Sequence, residues 1–300
     1  SYIGDGAWVV WRISTYRFEG IVTVDSPEAN TIAASIVPVF SLAIYFAWQG
    51  SVKIKILAVI CAGLVINGLI LINSRGAFVA ALIGFCYFVG AMLFSKYKLP
   101  KQRLIVFIII VCSIIVTIRL VDNTFLERMA TLQDQTSIES EGSGGRRINF
   151  WLATFDLLRD HPFGAGIYGY ETLSTIYLHD ESYFGTEYGQ KARAVHSLWF
   201  QGLSEIGWLG FGAFMMILFT LYRHLKNAKK ILIEQLRFQE YYLIIAIEGA
   251  LLSFFAASTF INMFRVQIMY WLILFGICAA VISLRIQAND EQPTDKADTT

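Results

Sequence analysis

Seven apolar stretches, each close to 20 residues long, limit what this chain can become. They cover residues 30–48, 54–72, 76–94, 104–120, 198–222, 241–260 and 266–284. A helix of that length just crosses a hydrocarbon core of about 30 Å. Each stretch is apolar on every side, the pattern of a helix bathed in lipid rather than one with a solvated face. The fold class expected is all-α: a polytopic transmembrane helix bundle. Hydrophobic residues make up 56% of the chain and charged residues 16%, where soluble domains run to about half and a quarter. A net charge of +1 gives no support for a nucleic-acid partner.

Orientation follows from Lys and Arg in the short connections. Lys53 and Lys55 lie in the first, Lys96, Lys98, Lys101 and Arg103 in the third, and Arg223, Lys226, Lys229, Lys230 and Arg237 in the fifth. The positive-inside bias places all three on the cytoplasmic side. The long segment 121–195 then faces outward, with the tight turns around Arg75 and Arg265. Residues 1–287 read as a single transmembrane domain with loop 121–195 inserted between the fourth and fifth spans. Residues 288–300 read as a polar, disordered cytoplasmic tail. Before residue 30, Trp8, Trp11 and Tyr16 mix with Arg12 and Arg17, which suits an interfacial segment or the end of an earlier span. Cys61, Cys86, Cys112 and Cys278 all fall in apolar stretches without metal-ligand spacing and read as small core residues.

The outward loop carries its own pattern. Residues 123–135 suit a short helix, and 137–145 form a polar, Gly/Ser-rich break. From Arg147 to Asp160, Ile148, Trp151, Leu152 and Phe155 recur at helical spacing, which predicts an amphipathic helix on the membrane or on the bundle. His161-Pro162 ends it, because a residue before proline avoids the α region. Gly164, Gly166 and Gly169 then allow a tight turn. A loop this long in a compact protein is usually functional.

Charges on the outward side run against the insertion bias. Arg75 and Arg265 sit in very short turns between spans, Arg146 and Arg147 open the amphipathic helix, and His196 starts the fifth span. Charge at membrane depth costs a few kcal/mol on insertion scales. Taken singly, each arginine can snorkel to lipid phosphates. Taken together they point to an anionic ligand, because a guanidinium fork matches phosphate. His196 is either a structural hydrogen bonder or a base for a hydroxyl nucleophile. Glu205 is an intramembrane carboxylate, read either as functional or as the partner of a buried arginine, and Glu248 is another. Arg17, with Glu19 and Asp25, precedes the first span on the same side and suits the same cavity. No Asp-x-Asp, P-loop, His-Glu-x-x-His or Gly-x-Ser-x-Gly motif is present. No metal site and no cofactor are expected, so a donor must arrive already activated in the membrane.

Three pieces of sequence carry a resemblance. They are Asn73-Ser74-Arg75-Gly76-Ala77; Arg147-Ile148-Asn149-Phe150-Trp151 with Asp160-His161-Pro162-Phe163-Gly164-Ala165-Gly166; and His196-Ser197-Leu198-Trp199 with Glu205-Ile206-Gly207-Trp208-Leu209-Gly210. Arg17-Phe18-Glu19-Gly20 with Asp25 and Asn30 adds a fourth. In this order the pieces resemble the O-antigen ligase and Wzy-type polymerase superfamily of bacterial envelope proteins, over nearly the whole chain. The resemblance implies a GT-C-like bundle in the inner membrane with an active site facing the periplasm. It also implies spans ahead of those seen here. The implied donor is a glycan on undecaprenyl diphosphate; the implied acceptor is a glycan, a lipid or a protein, with membrane lipids as surroundings. By the same carry-over Arg75 and Arg147 hold the diphosphate, Arg146 being able to replace Arg147, and His196 activates or orients the acceptor hydroxyl. Arg265, Arg17 and Glu205 are further candidates for substrate contact. A ligase and a polymerase share this donor site. A flippase for the lipid-linked glycan is a third reading, but no internal repeat with paired broken helices supports it.

Overall fold

The computed structural model describes residues 29–72, 74–120, 143–178 and 194–290. Among them lie α1 (Ala29–Gln49), α2 (Val52–Ile72), α3 (Arg75–Phe94), α4 (Gln102–Leu120) and α5 (Ser143–Asp160). α6 (Gly169–Tyr177), α7 (Leu198–Glu234), α8 (Phe238–Ser258) and α9 (Val266–Asp290) follow. Six of these, α1, α2, α3, α7, α8 and α9, are long and apolar enough to cross a membrane. α4 is apolar over the shorter stretch Gln102–Ile115. The protein is a multi-pass membrane helix bundle, as its apolar stretches predict. Arg17, the helix expected at 123–135 and the tail beyond residue 290 lie outside the described residues.

α8 and α1 form the inside of the bundle, and α2 and α9 its lipid-facing rim. α8 packs on α3 and α1, and α1 packs on α2. Small residues make the closest of these approaches possible. A Cβ on Gly84 of α3 would stand 2.8 Å from the Gly249 carbonyl oxygen and 2.9 Å from Ser253 Cβ, both on α8. In lipid, close backbone packing of this kind replaces the hydrophobic drive between helices.

Each end of the bundle has its own apolar core. At one end Tyr45 and Trp48 of α1 meet Val89 and Met92 of α3, Val106 of α4 and Tyr242 of α8. This is the end reached by all three Lys/Arg-rich connections. At the other, Ala29, Ile72 and Ala77 pack with Leu198, Ile261 and Met263. The turn carrying Arg75, the start of α7 and the turn before α9 therefore lie together at the end opposite those three connections.

α7 departs from its expected bounds. Gly207 (φ 66°, ψ −173°) breaks it into a first limb, 198–206, and a second, 208–234. The second limb continues well past residue 222, through the segment read as a loop. Leu225, Ala228 and Leu232 recur at helical spacing and are buried against Ile244, Ile247 and Ile282. Lys229, expected in a cytoplasmic connection, instead pairs with Glu248 at 2.6 Å. Tyr87 of α3 donates its hydroxyl to the same carboxylate at 2.5 Å. Glu248 is thus neutralised by a helix extension rather than by an arginine. The connection shrinks to Gln235–Arg237, where Leu236 takes a positive φ of 57°.

Candidate functional site

The described part of the loop beyond α4 packs onto this second end of the bundle through α5. Phe150, Ala153, Leu157 and Leu158 of α5 are buried against Tyr170 and Leu178 at α6, Val195 and Leu203. The Tyr170 hydroxyl donates to the Phe150 carbonyl at 2.8 Å. Burial, aided by the Glu171 charge, pushes the Tyr170 phenol well above its ordinary range, so it stays protonated as a donor. Of the stripe read as facing the membrane or the bundle, Ile148, Leu152 and Phe155 are exposed and Trp151 is half-buried. The helix is apolar on two sides, and periodicity does not tell which side meets protein. α5 ends at Asp160, where His161-Pro162 was expected to stop it, the His161 amide closing the last turn onto the Leu157 carbonyl.

The loop after α5 completes the broken helix α7. In an unbroken helix the Ser204 carbonyl would accept from the Trp208 amide. Here the Trp208 amide turns to the Pro162 carbonyl at 3.1 Å. The carbonyls of Ser204 and Glu205 accept instead from the amides of Ala165 (2.8 Å) and Gly166 (3.1 Å). Gly164 (φ 92°) and Gly207 (φ 66°) lie backbone against backbone at this join. A Cβ on Gly164 would overlap the Glu205 carbonyl oxygen, and one on Gly207 would overlap the Phe163 and Gly164 backbone. Both positions also need the left-handed backbone that glycine alone takes freely. The sequence pieces at 160–166 and 205–210 are thus two halves of one structural unit.

A buried ion cluster locks the unit to the turn before α9. Arg265 Nη2 lies 2.9 Å from Glu171 Oε1 and 3.0 Å from Glu205 Oε1. Its guanidinium carbon stands 3.5 Å from the centroid of the Tyr168 ring, a cation–π contact. Tyr168 itself holds a positive φ of 61°. Burial works against the Arg265 charge, but the Glu205 hydrogen bond and the two carboxylates outweigh it and hold its pKa above the ordinary arginine value. Gln201 extends the cluster, donating to Glu205 Oε1 at 3.2 Å and accepting from the Phe264 amide at 2.9 Å. Ser197, Gln201 and Glu205 fall at i, i+4 and i+8, a buried polar seam beside which Ser204 is also buried.

His196 immediately precedes that seam. It takes a left-handed backbone (φ 51°), uncommon for a residue with a Cβ. Its neighbours are pinned on both sides. The Val195 carbonyl accepts from the Trp151 indole at 3.2 Å, and the Ser197 amide donates to Asn262 Oδ1 at 3.2 Å. The imidazole faces the Phe150 ring of α5, with centroids 6.4 Å apart. Arg147 is half-buried one turn before Phe150, and Arg146 belongs to the same helix, its side chain outside the described residues. Arg75 is the first residue of α3, half-buried at the same end, and its N-cap Ser74 makes no side-chain cap. Arg265 Nε, Glu171 Oε2 and Ser197 Oγ are the buried side-chain atoms left without a hydrogen-bond partner among the described residues, and all three lie at this end. Among those residues no group of His, Cys, Asp and Glu gathers as a metal site would.

Residues 59–215, just over half of the chain, match the O-antigen ligase family. The chain belongs to that family. The match takes in Arg75, Arg147, His196 and Glu205, and ends before Arg265. Its activity is therefore of the O-antigen ligase and polymerase type: a multi-pass membrane glycosyltransferase working between a lipid-linked glycan and an acceptor. No curated protein matches the chain. Sequence reasoning missed Tyr168, Glu171, Gln201 and Asn262. Gln201 had a signal in its spacing from Ser197 and Glu205; the other three meet their partners only through the tertiary fold.

Proposed function

We propose that the protein moves a glycan from undecaprenyl diphosphate to a lipid or protein acceptor at the periplasmic face of the bacterial inner membrane. The observation that carries this reading is the setting of His196. A histidine in a strained backbone, fixed between α5 and the turn before α9, stands at the end where Arg75 and Arg147 also lie. Strain of this kind persists where the surroundings impose it, and it gathers at active sites.

In the proposed reaction the acceptor hydroxyl oxygen attacks the anomeric carbon. The bond from that carbon to the phosphate oxygen breaks, and its electron pair leaves on the diphosphate. His196 takes the hydroxyl proton. Arg75 and Arg147 meet the charge that grows on the leaving group, which preorganised cations do without a metal. The N-terminus of α3 adds its own positive potential beside Arg75. A single displacement inverts the anomeric configuration. Arg265, expected as a further phosphate contact, is better assigned to holding the site together, because two carboxylates already meet its charge.

The test is transfer by the purified protein in proteoliposomes supplied with an undecaprenyl-diphosphate glycan and a lipid or peptide acceptor. The reading expects an inverted glycosidic product, formed equally well with chelator present. Product built only by joining one lipid-linked repeat to another would make the protein a polymerase. Glycan crossing the bilayer without bond formation would make it a flippase.

A further inference from the structure

The part of α5 that faces away from the bundle is as apolar as the part that packs. Ile148, Leu152 and Phe155, on one side of the helix, are 39%, 57% and 41% exposed. Phe163 and Ile167, in the loop that completes α7, are 78% and 77% exposed. Water-facing protein surfaces rarely gather so many large apolar groups in one patch. The patch is also not isolated. Phe155 stacks on Trp208, with centroids 6.3 Å apart, and Trp208 opens the second limb of α7. From there the exposed surface of α7 continues as Leu209, Met216 and Phe219, the outside of a membrane-spanning helix.

From this continuity we infer that α5 and the 163–167 loop are a membrane-inserted element, with the Ile148–Leu152–Phe155 face and the Phe163 and Ile167 side chains sunk into the edge of one bilayer leaflet. The occupant of the patch is lipid hydrocarbon, because the Phe155–Trp208 stack joins the patch to the outside of a helix long and apolar enough to cross a membrane. Trp208, placed at the join, is the residue type that gathers at the membrane–water boundary. The stripe ends at Arg159, one turn beyond Phe155 on the same side of α5 and 80% exposed in its side chain, whose length lets the charge reach up to the headgroups. An in-plane helix buries its apolar face about 5–10 Å into the headgroup and acyl boundary. Arg147, next to Ile148, is thereby set at the depth of lipid phosphates. The inference stands whether or not Arg147 contacts a donor, since it concerns where α5 lies and not what it binds.

The experiment has two arms. In the first, the unaltered protein is reconstituted in phosphatidylethanolamine–phosphatidylglycerol vesicles containing a phospholipid with a diazirine in its acyl chain. After illumination, labelled peptides are mapped by mass spectrometry. Label is expected on residues 148–155 and 163–167 as well as on the outer face of α7. Label confined to the spanning helices would overturn the inference. In the second, the four native cysteines are replaced and a nitroxide is placed at Leu152, at Phe163 or, as a water-exposed control, at Lys98 in the connection between α3 and α4. Collision with oxygen should exceed collision with a water-soluble nickel chelate several-fold at Leu152 and Phe163, and the order should reverse at Lys98. Free access of the nickel chelate to Leu152 and Phe163 would place the patch in water. Shielding from both reagents would mean that a protein surface covers it. Either result refutes the lipid assignment.

Discussion

Arg265 and Glu205 meet through Nη2 and Oε1 at 3.0 Å, and that contact ties the turn before α9 to the kinked helix α7. Glu205 is almost fully buried, so its charge relies on this partner. Removing one side of a buried pair costs about 3–5 kcal/mol, and the quarter exposure of Arg265 should bring that down to about 2–3 kcal/mol. Arg265→Ala is expected to lower unfolding stability in detergent by that amount. Adding Glu205→Gln should return part of the loss, because the neutral amide no longer needs a cation. A double mutant as unstable as the sum of the two single changes would show that the pair is not coupled.

Gly164 and Gly207 predict a graded series with Gly166. All three hold positive φ, at 92°, 66° and 81°. A Cβ at Gly166 meets nothing within 4 Å, so Gly166→Ala carries only backbone strain, of order 1–2 kcal/mol. Gly164→Ala and Gly207→Ala add a clash of backbone against backbone, which no side-chain rotation relieves. Both should be clearly less stable than Gly166→Ala in thermal unfolding and should lose transfer activity with it. Equal melting temperatures across the series would show that the join is looser than these positions indicate.

What was legible in the sequence divides along physical lines. The spans were readable because a lipid-facing helix needs about 20 apolar residues, whatever surrounds it. His161-Pro162 marked the end of α5 because proline restricts its neighbour locally. The start of α7 at Leu198 was read correctly, but its break at Gly207 and its far end were missed, because both depend on partners. Gly207 can break the helix only because Pro162, Ala165 and Gly166 supply replacement bonds, and residues 223–234 stay helical because Leu225, Ala228 and Leu232 find α8 and α9. For Glu205, pairing with a buried arginine was one of the two readings left open, and Arg265 supplies that partner. Glu171, the second carboxylate, stood in a loop with no periodicity to mark it.

Lys229 and Glu248 should matter for stability but not for chemistry. Their contact lies among α7, α8 and α3, with Glu248 ten residues into α8, away from His196. Lys229→Met leaves a carboxylate in a nearly dry setting, with only the Tyr87 hydroxyl to satisfy it. Stability should fall by a few kcal/mol, within the range for a broken buried pair. Lys229→Met with Glu248→Gln should be the more stable of the two variants. Per folded molecule, transfer by the double variant should match the unaltered protein; a fall in its turnover would tie this cluster to the reaction.

His196 can be tested without disturbing its backbone. Asparagine accepts the left-handed region better than most residues, so His196→Asn keeps φ near 51° while removing the basic nitrogen. On the proposed mechanism its turnover falls by about 10²–10⁴-fold, the usual loss of a general base. Melting temperature and donor binding should stay as they were. Arg75→Ala and Arg147→Ala should act differently. Each removes a cation from the leaving diphosphate, a change that costs about 2.7–4 kcal/mol of transition-state stabilisation per donor in comparable sites. Both should therefore weaken donor binding as well as slow transfer. If His196→Asn transferred glycan at the full rate, His196 would be a structural hinge between Val195 and Ser197, and the base would have to be sought elsewhere. If Arg75→Ala bound and used donor normally, the diphosphate would lie away from the start of α3.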